Sequence, residues 1–436
     1  MICSTCSASG SSACRRASCG AGGVGAGGGD MRGLRLRCAM PRALPCAHYN
    51  FAAAAFGRKL SINLYQRIVV KVGTSTLTGG HTSLSVERIT DLVQQLVALR
   101  HSGCQVVLVS SGAIAAGRER LGQPLLPKAV PAKQMLAAVG QPRLMALYDR
   151  IFEQLAQPVA QVLLTRGDLT RRRSYLNARH TLLALLDQHI IPIVNENDTV
   201  ATEEIRVGDN DNLSALVANL VEADLLLLLT DQAGLFSVDP RTNPHAQLLH
   251  EISSAEIPAA VWEAAGANGA QGTGGMYTKL QAAALARQSG VATVIAAGSE
   301  PQVLLRVARG EALGTRLPAL VSALESRKRY ILSGWDGQAR VQVDAGAAAA
   351  LERGSSLLPV GVAAVHGEFE RGDTLAVLDA TGHELARGLA NYAAGELRII
   401  CGQQSDKITG LLGYEYGDEV IHRDHLVLLA RPGSAL

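Results

Sequence analysis

The chain has 436 residues, of which 47% are hydrophobic and 18% are charged, and this length allows a large domain and a smaller one. No stretch of the sequence is apolar enough to span a membrane. The formal net charge is +3, but the first sixty residues hold eight basic side chains against Asp30 alone, which leaves −4 for the rest. Because the chain after residue 60 is mildly acidic, its charge gives no reason to expect binding to nucleic acid or anionic lipid. We therefore expect small molecules as partners.

Residues 1–65 form a low-complexity extension that we expect to be disordered and leave out of the fold. Gly, Ala and Ser dominate it, and it holds six of the eight cysteines. Its Arg and Ser content is typical of an organelle transit peptide, whereas a start codon assigned too early, with Met31 or Met40 nearer the true start, explains it equally well. Both interpretations stay open.

Two short motifs in this extension suggest chemistry but lack the context that it needs. Cys3 and Cys6 form a CxxC without a second pair at zinc spacing, and the GxGxxG that begins at Gly23 follows no predicted strand. We interpret both as chance in a Gly-rich segment. Elsewhere only Cys104 and Cys401 remain, which gives no disulfide framework and is typical of a reducing compartment, so we expect a cytoplasmic protein.

From Gln66 onward, short apolar runs alternate with amphipathic stretches, the pattern of an α/β domain. Each run is too short and too rich in β-forming residues for a helix. The predicted strands are Ile68–Val72, Gln105–Ser110, Val159–Thr165, Ile190–Val194, Leu225–Thr230 and Val291–Ala296. A helix is predicted from Asp211, because Leu213, Leu216 and Leu220 recur at helical spacing.

A second, smaller unit begins near Gly337, where shorter apolar runs are separated by frequent glycines. Its predicted elements are a helix over Ala345–Glu352 and the strands Gln338–Val343, Gly361–Val365, Thr374–Leu378 and Val420–Leu429. We therefore expect a catalytic domain over residues 66–325 and a small β-rich domain over residues 337–430.

Two of the predicted strands end at groups that suit an anion. Lys71 closes the first strand just before Gly73, which places it at the carboxyl edge of the sheet, where open α/β sheets bind ligands. Ser111 and Gly112 follow the second strand and open a helix, whose free N–H groups suit an anion. Taken alone, these features also fit an exposed edge lysine and an ordinary helix start.

The densest polar signal lies between the fourth strand and the next helix. Asn195–Asp198 and Gly208–Asn212 supply nine polar or glycine positions, more than the single Asx residue that a helix cap requires. Further along, Thr230 and Asp231 follow the fifth apolar run, and the glycine-rich segment Gly272–Lys279 opens another helix. Phosphoryl transfer needs such cations and N–H groups, because its transition state spreads negative charge over the transferred group.

Two better-known kinase signatures are absent or misplaced. The chain has no GxxxxGK[ST], so the sequence does not indicate a P-loop enzyme. His422–Asp424 spell the HRD of protein kinases, but position 429 is Leu where those enzymes carry Asn, and the triplet falls in the predicted C-terminal strand. We interpret this HRD as chance.

Taken together, these segments resemble the glutamate 5-kinases, a branch of the amino acid kinase family, over most of the chain after residue 65. The resemblance rests on VVKVGTS from Val69, SSGAIAAGR from Ser110, NENDTVAT from Asn195, VGDNDNLSAL from Val207, LLLLTDQAGL from Leu226 and GTGGMYTK from Gly272. VGDNDN and GTGGMYTK, in this order and at these separations, are specific to the branch. The tail, with ERGSSLLP from Glu352 and LGYEYG from Leu412, resembles the PUA domain, an RNA-binding fold in other proteins.

The resemblance implies an open, mainly parallel sheet sandwiched by helices, with a small β-rich PUA-like domain at the C-terminus. It also implies ATP-dependent phosphorylation of the side-chain carboxylate of L-glutamate, the first step of proline biosynthesis. In such an enzyme Lys71 and Lys279 contact the transferring phosphoryl group, and Asp211 holds both lysines in place.

The remaining site residues are likewise implied by the resemblance. L-Glutamate would be bound by Ser111, Gly112, Asp198 and Asn210, with Asp198 matching the ammonium charge. ATP would be held by Lys71, Thr230, Asp231, Thr273, Gly274, Gly275, Met276, Tyr277, Thr278 and Lys279. Mg²⁺ would bridge the ATP phosphates largely through phosphate oxygens and water, and the sequence names no protein ligand for it.

The family further implies a homo-oligomer, feedback inhibition by proline, and a functional link to glutamyl phosphate reductase, because unstable glutamyl phosphate would cyclise if released. Two alternatives stay open. A kinase of the same fold for aspartate or N-acetylglutamate is disfavoured by VGDNDN and the tail. An RNA-binding or RNA-modifying protein is supported by the tail alone, and residues 337–436 carry eight Arg and Lys against thirteen Asp and Glu, a net charge of −5 that disfavours phosphate-driven binding.

Overall fold

The computed structural model of the chain describes residues 63–127, 129–201, 210–266, 275–322, 324–325, 328, 331–332, 335 and 337–429, all within the unit Lys59–Leu436. The CxxC and GxGxxG of the N-terminal extension, and the prediction of disorder there, lie outside the described residues. So do residues 207–209 and 272–274 of the two most specific motifs.

Seven strands of the described chain form the larger sheet, in the order β3-β4-β2-β1-β5-β6-β7. The strands are β1 (Arg67–Val72), β2 (Gln105–Ser110), β3 (Val159–Leu164), β4 (Ile191–Glu196), β5 (Leu225–Thr230), β6 (Ala292–Ala297) and β7 (Thr315–Leu317). Neighbouring strands are parallel except β7, which pairs antiparallel with β6. The six predicted strands are confirmed to within one or two residues at their ends, and the three-residue β7 was not predicted.

Helices cover both faces of this sheet. They are α1 (Thr74–Thr78), α2 (Val86–His101), α3 (Ala113–Arg120), α4 (Val130–Gln154), α5 (Arg166–Thr170), α6 (Arg172–Asp187), α7 (Asn210–Leu220), α8 (Ala259–Ala264), α9 (Met276–Gln288) and α10 (Val303–Ala308). Side chains of β1 alternate between two cores, with Ile68 and Val70 in one and Val69 in the other. Strands buried on both faces therefore appear in the sequence as continuous apolar runs. In the part of the chain that the structure describes, no helix is both long and apolar enough to cross a membrane.

The carboxyl edge of the sheet is shaped by close backbone packing. Gly112 links β2 to α3 with φ of 102°, a left-handed conformation that favours glycine. Gly140 of α4 packs against α3 so closely that a Cβ there would overlap the carbonyl oxygen of Ala113. This contact fixes the start of α3, and with it Ser111 and Gly112, against a rigid neighbour.

Five strands of the described residues form a second sheet near the C-terminus, in the order β12-β11-β10-β8-β9. Its elements are β8 (Arg340–Val343), α11 (Ala345–Glu352), β9 (Val362–His366), β10 (Thr374–Leu378), β11 (Glu384–Leu389), α12 (Ala394–Ile400), α13 (Ile408–Leu412) and β12 (Leu426–Leu428). The predicted small β-rich fold is therefore confirmed.

Two details of this sheet differ from the prediction. The strand predicted over Val420–Leu429 is wrong in extent, because Arg423–His425 form a 3-10 turn and only Leu426–Leu428 pair with β11. The HRD triplet thus lies at this turn rather than in a strand. Strand β11 was missed because Gly388 interrupts its apolar pattern, yet a Cβ at Gly388 would collide with Ile421, so the sheet requires glycine there.

The C-terminal segment contacts helix α6 through buried charged and aromatic groups. Arg179 of α6 donates from Nε to His425 Nε2 at 3.0 Å and from Nη1 to the carbonyl oxygen of Leu220, the last residue of α7. Its Nη2 forms an ion pair with Glu222 at 2.8 Å. Leu176 of the same helix packs in a small apolar cluster with Leu389 and Val427. These contacts join α6 to both α7 and the second sheet.

Candidate active site

A cavity of about 910 Å³ opens at the carboxyl edge of the seven-stranded sheet. Most of the predicted site residues line it, namely Lys71, Ser111, Gly112, Asp198, Asn210, Thr230, Asp231, Gly275, Met276, Tyr277 and Lys279. Asp211 and Thr278 lie buried behind its wall, whereas Thr273 and Gly274 are outside the described residues. The strand ends therefore gather residues that lie more than 200 positions apart in the chain.

Asp211 is the centre of a buried charge cluster at the base of the cavity. Its side chain is 0% exposed, and its two oxygens form ion pairs with Lys71 Nζ at 2.6 Å and Lys279 Nζ at 3.3 Å. The Thr278 hydroxyl donates to Asp211 Oδ2 at 2.6 Å. This hydroxyl orients Asp211, and the contact of Thr278 with ATP stays a prediction. The cluster carries two cations and one anion, and Lys71 and Lys279 both line the cavity.

The electrostatics of this cluster follow from burial and from pairing. Burial alone would raise the pKa of Asp211, but Lys71 and Lys279, with the hydroxyl of Thr278, outweigh it and lower that pKa below its usual value. Burial lowers the pKa of Lys279, and Asp211 opposes that effect. A buried cation that is already desolvated gains more from an incoming anion than one in water does. The base of the cavity therefore suits a phosphoryl group.

Asn210 organises the wall next to this cluster. Its amide donates to Ser110 O at 3.2 Å, Ser111 Oγ at 3.1 Å and Asn195 Oδ1 at 3.1 Å. Asn195 in turn donates to Gln141 Oε1 at 2.8 Å. These bonds tie the ends of β2 and β4 to the start of α7. Among the described residues, the buried side-chain oxygen of Asn210 has no hydrogen-bond partner, and Asn210 lines the cavity, so this oxygen can accept from a bound ligand.

Asp198 supplies a carboxylate elsewhere in the same cavity. It lies in the turn that follows β4, and its side chain is half-buried. Burial raises the pKa of Asp198 to about 6, and the nearby charge of Lys133 acts in the opposite direction. A half-desolvated carboxylate of this kind is suited to bind a cation.

The opposite side of the cavity is built by the end of β5 and the start of α9. The Thr230 hydroxyl donates to Asp231 Oδ1 at 3.0 Å. Helix α9 begins after Gly275, which has no side chain to cap it, so within the described residues its first N–H groups are available to an anion. Tyr277 packs edge-on against Trp262 with 5.5 Å between ring centroids, at a side-chain exposure of 37%. This surface suits an extended ligand that carries phosphates.

Several residues of the cavity were missed by the sequence analysis. Lys133 and Arg118 add cations to its wall, and Gln141 supports Asn195 from below. Lys133 and Gln141 lie on α4, whose sequence shows no motif beyond an amphipathic pattern. Their position depends on how α4 crosses the sheet, which one sequence does not reveal. Within the described residues, no group of three or more His, Cys, Asp or Glu side chains could hold a metal ion.

Comparisons with known proteins agree with this geometry. Residues 66–297 match the model of the amino acid kinase family, and residues 339–412 match that of the PUA domain. A glutamate 5-kinase from Shewanella amazonensis is 51% identical over 86% of this chain and 99% of its own length. Glutamate 5-kinases from Herpetosiphon aurantiacus and Deinococcus radiodurans are 54% and 52% identical, over 84% and 83% of this chain and 99% and 100% of their own lengths. The chain therefore belongs to the amino acid kinase family and, within it, to the glutamate 5-kinases.

Proposed function

We propose that the protein transfers the terminal phosphoryl group of ATP to the side-chain carboxylate of L-glutamate, giving L-glutamyl 5-phosphate and ADP in the first step of proline biosynthesis. The observation that carries this proposal is the pairing of Lys71 and Lys279 with the buried Asp211 at the base of a cavity that also holds Asp198. The cluster suits a transferring phosphoryl group, and Asp198 suits an ammonium group.

This transfer requires alignment of the attacking carboxylate with the phosphoryl group rather than a general base. A glutamate side chain has a pKa of roughly 4.3 and is ionised at neutral pH, so no proton has to be removed before it attacks phosphorus. As the carboxylate oxygen bonds to phosphorus and the bond to the ADP oxygen breaks, negative charge spreads over the transferred group. Lys71 and Lys279 neutralise that charge, and Asp211 holds both ammonium groups in place before the reaction begins.

The amino acid would lie against the ends of β2 and β4. Ser111 and Gly112, at the start of α3, face the substrate, and Asn210 presents its buried oxygen from the start of α7. Asp198 binds the substrate ammonium group. These four residues position the attacking carboxylate towards the lysines.

The nucleotide would lie on the other side, against Thr230, Asp231 and the first turn of α9. Mg²⁺ bridges ATP phosphates in kinases and usually keeps several waters with only one or two carboxylate ligands. Asp231 fits such a role, because its residue lines the cavity next to Thr230 at the end of β5. The ion would neutralise phosphate charge when bound.

We place the catalytic domain at residues 66–325 and a PUA-like domain at residues 337–430. The family resemblance supports three further proposals: a homo-oligomer, feedback inhibition by proline, and functional coupling to glutamyl phosphate reductase. The last has a chemical reason, because an acyl phosphate next to a free amine cyclises if it is released. The net charge of −5 on residues 337–436 disfavours nucleic acid as a partner.

One assay separates the candidate functions. ADP release is measured with L-glutamate, L-aspartate and N-acetyl-L-glutamate, alongside binding of a structured RNA. We expect turnover with glutamate alone and no specific RNA binding. Preferred turnover of either other acid would refute the substrate assignment, and tight RNA binding without turnover would refute the enzyme assignment.

A further inference from the structure

The side-chain oxygen of Asn210 restricts which group of the substrate it can meet. This oxygen only accepts hydrogen bonds, and among the described residues it is buried without a donor. Both carboxylates of ionised glutamate also only accept, so the ammonium group is the one donor that glutamate offers. Under the proposed function, the Asn210 oxygen therefore meets the ammonium group together with Asp198, which lines the same cavity. That contact requires the amide of Asn210 to present its oxygen, and not its nitrogen, to the substrate.

The orientation of the Asn210 amide is set by the acceptors around its nitrogen. Its Nδ2 lies 3.2 Å from Ser110 O, 3.1 Å from Ser111 Oγ and 3.1 Å from Asn195 Oδ1. The last of these acceptors is a side-chain amide that could present either end. Asn195 Oδ1 also accepts from the backbone N–H of Glu196 at 2.9 Å. Two donors thus point at the Asn195 oxygen, so the Asn195 nitrogen has to find an acceptor on its other side.

Gln141 of helix α4 supplies that acceptor from behind the cavity wall. Asn195 Nδ2 donates to Gln141 Oε1 at 2.8 Å. The adjacent Gly140 packs so closely against α3 that a Cβ would overlap Ala113 O, so the backbone that carries Gln141 is fixed. Among the described residues, Gln141 Nε2 is buried without a hydrogen-bond partner. The hydrogen bond that this side chain contributes here is therefore the one its oxygen accepts.

We infer that Gln141 is a positioning residue for substrate recognition, which acts through Asn195 to direct the Asn210 oxygen towards the ammonium group of glutamate. This inference rests on the proposed function. The two ends of a primary amide are alike in shape but opposite in hydrogen bonding, so each amide of this chain fixes the orientation of the next. Without the Gln141 oxygen, the buried nitrogen of Asn195 loses its acceptor, which costs free energy unless Asn195 turns. A turned Asn195 no longer accepts from Asn210, whose amide is then free to rotate.

The test compares Gln141→Met with the wild-type enzyme on L-glutamate and on glutarate, which is glutamate without its ammonium group. We expect the preference for glutamate over glutarate in kcat/KM to fall by roughly tenfold, as for one charge-assisted hydrogen bond. The fall should come from a raised KM for glutamate, with kcat within a few fold and the KM for ATP unchanged. The kcat/KM for glutarate should stay at its wild-type value, because a general loosening of the site would lower both. If glutarate binds without being phosphorylated, its Ki against glutamate replaces its kcat/KM.

Two further comparisons separate positioning from a loss of packing. In an Asn210→Ala background the oxygen that Gln141 positions is absent, so Gln141→Met should cause no further change in the preference for glutamate over glutarate. Gln157→Met is the matched control, because Gln157 is also buried but donates to Pro158 O and His189 O, both at 2.9 Å, next to the starts of β3 and β4. This variant should lose stability and keep the wild-type preference.

Each other outcome counts against the inference. An unchanged preference in folded Gln141→Met, or an equal loss in the Asn210→Ala background, shows that Gln141 does not act through Asn210. An equal loss in Gln157→Met assigns the effect to packing. If Gln141→Met does not fold, Gln141→Glu decides, because it keeps the acceptor oxygen and should keep the preference, whereas a loss there overturns the inference. A wild-type enzyme that does not phosphorylate glutamate refutes the proposed function itself, which is a distinguishable failure.

Discussion

The protein buries two charge clusters of similar composition in very different surroundings. At the base of the cavity, Asp211 is enclosed by Lys71 and Lys279, with one cation more than the anion requires. Between α6 and the second sheet, Arg179 divides its donors among Glu222, the carbonyl oxygen of Leu220 and His425. The first cluster adjoins a cavity of about 910 Å³, whereas in the second all three side-chain nitrogens of Arg179 donate to protein groups.

This difference shows that the burial of charged side chains does not by itself identify a functional site. In both clusters, burial shifts the pKa values of the charged side chains. Structural ion pairs show such shifts as readily as catalytic ones do. Near Arg179, burial together with Arg371 and Arg179 lowers the pKa of His180 to about 4, which keeps that imidazole neutral at physiological pH. The cluster around Asp211 is distinguished by its two ammonium groups, which line an open cavity.

The largest expected effect is on turnover when the excess charge is removed. Lys71→Met and Lys279→Met should each lower kcat by roughly a hundredfold or more, because one preorganised charge contact is worth about 3 to 4 kcal/mol in the transition state. Steady-state kinetics measures the loss, and circular dichroism checks that each variant is folded.

Arg241→Met is the matched control, because Arg241 lines the same cavity but is exposed and paired with Asp239. We expect it to reduce kcat far less than either lysine variant. Near-wild-type turnover in Lys71→Met or Lys279→Met would show that the cluster around Asp211 is structural, like the one around Arg179.

A substitution in the second cluster should lower the stability of the protein rather than its catalytic activity. Arg179→Met keeps an unbranched apolar stem but removes the donors to Leu220 and His425 and the charge next to Glu222. Each lost hydrogen bond of a charged group costs about 1.5 to 3 kcal/mol, so the variant should lose several kcal/mol in the free energy of unfolding. Chemical denaturation measures this, and kcat of the folded variant should stay within a few fold of wild type. A hundredfold loss of kcat without loss of stability would show that the cluster around Arg179 also contributes to catalysis.

The sequence predicts the first cluster far better than the second, for physical reasons. Lys71 ends an apolar strand, and the carboxyl ends of parallel strands meet at one edge, so the location of the site follows from local pattern. The pairing of Lys71 and Lys279 with Asp211 was predicted from the family resemblance alone. The spacing of residues does not show which carboxylate side chain points towards the lysines. Arg179 and His425 are 246 positions apart and carry no motif, so their contact depends on how the second sheet docks on α6. Local patterns determine strands and turns, but not docking.

A smaller effect is expected at Asp198, which lines the cavity and, among the described residues, has none of the close ion pairs that surround Asp211. Asp198→Asn keeps the shape and removes the charge, so the KM for glutamate should rise roughly tenfold, as for one charge-assisted hydrogen bond of about 1.5 to 3 kcal/mol. The KM for ATP should barely change. Loss of ATP affinity with normal glutamate binding would move Asp198 to the nucleotide side.

The pH dependence gives an independent test of Asp198. Its pKa of about 6 predicts that kcat/KM for glutamate in the wild type falls as pH drops below 6, because the carboxylate is then protonated. Asp198→Asn should lack this step. The folded state holds the proton more tightly than the unfolded state does, so wild-type stability falls as pH rises from about 4 to 6. The variant should therefore be relatively more stable at pH 7 than at pH 4, and an equal stability difference at both would contradict the raised pKa.

The smallest expected effect on catalysis follows removal of residues from Gly337 onward. The truncation takes His425 and Leu389 away from α6, but it leaves Arg179 its contacts with Leu220 and Glu222, and every proposed catalytic residue lies before the cut. Helix α7 begins at the catalytic end with Asn210 and Asp211 and ends at Leu220, so Arg179 continues to hold its far end in place. We expect kcat within about tenfold of the full chain, since no charge contact to the transferred group is lost, together with lower stability because Leu176 becomes exposed. Turnover that vanishes in a soluble, folded truncation would mean that the second sheet controls the geometry at Asp211 through α6 and α7, and the two clusters would then act as one coupled unit.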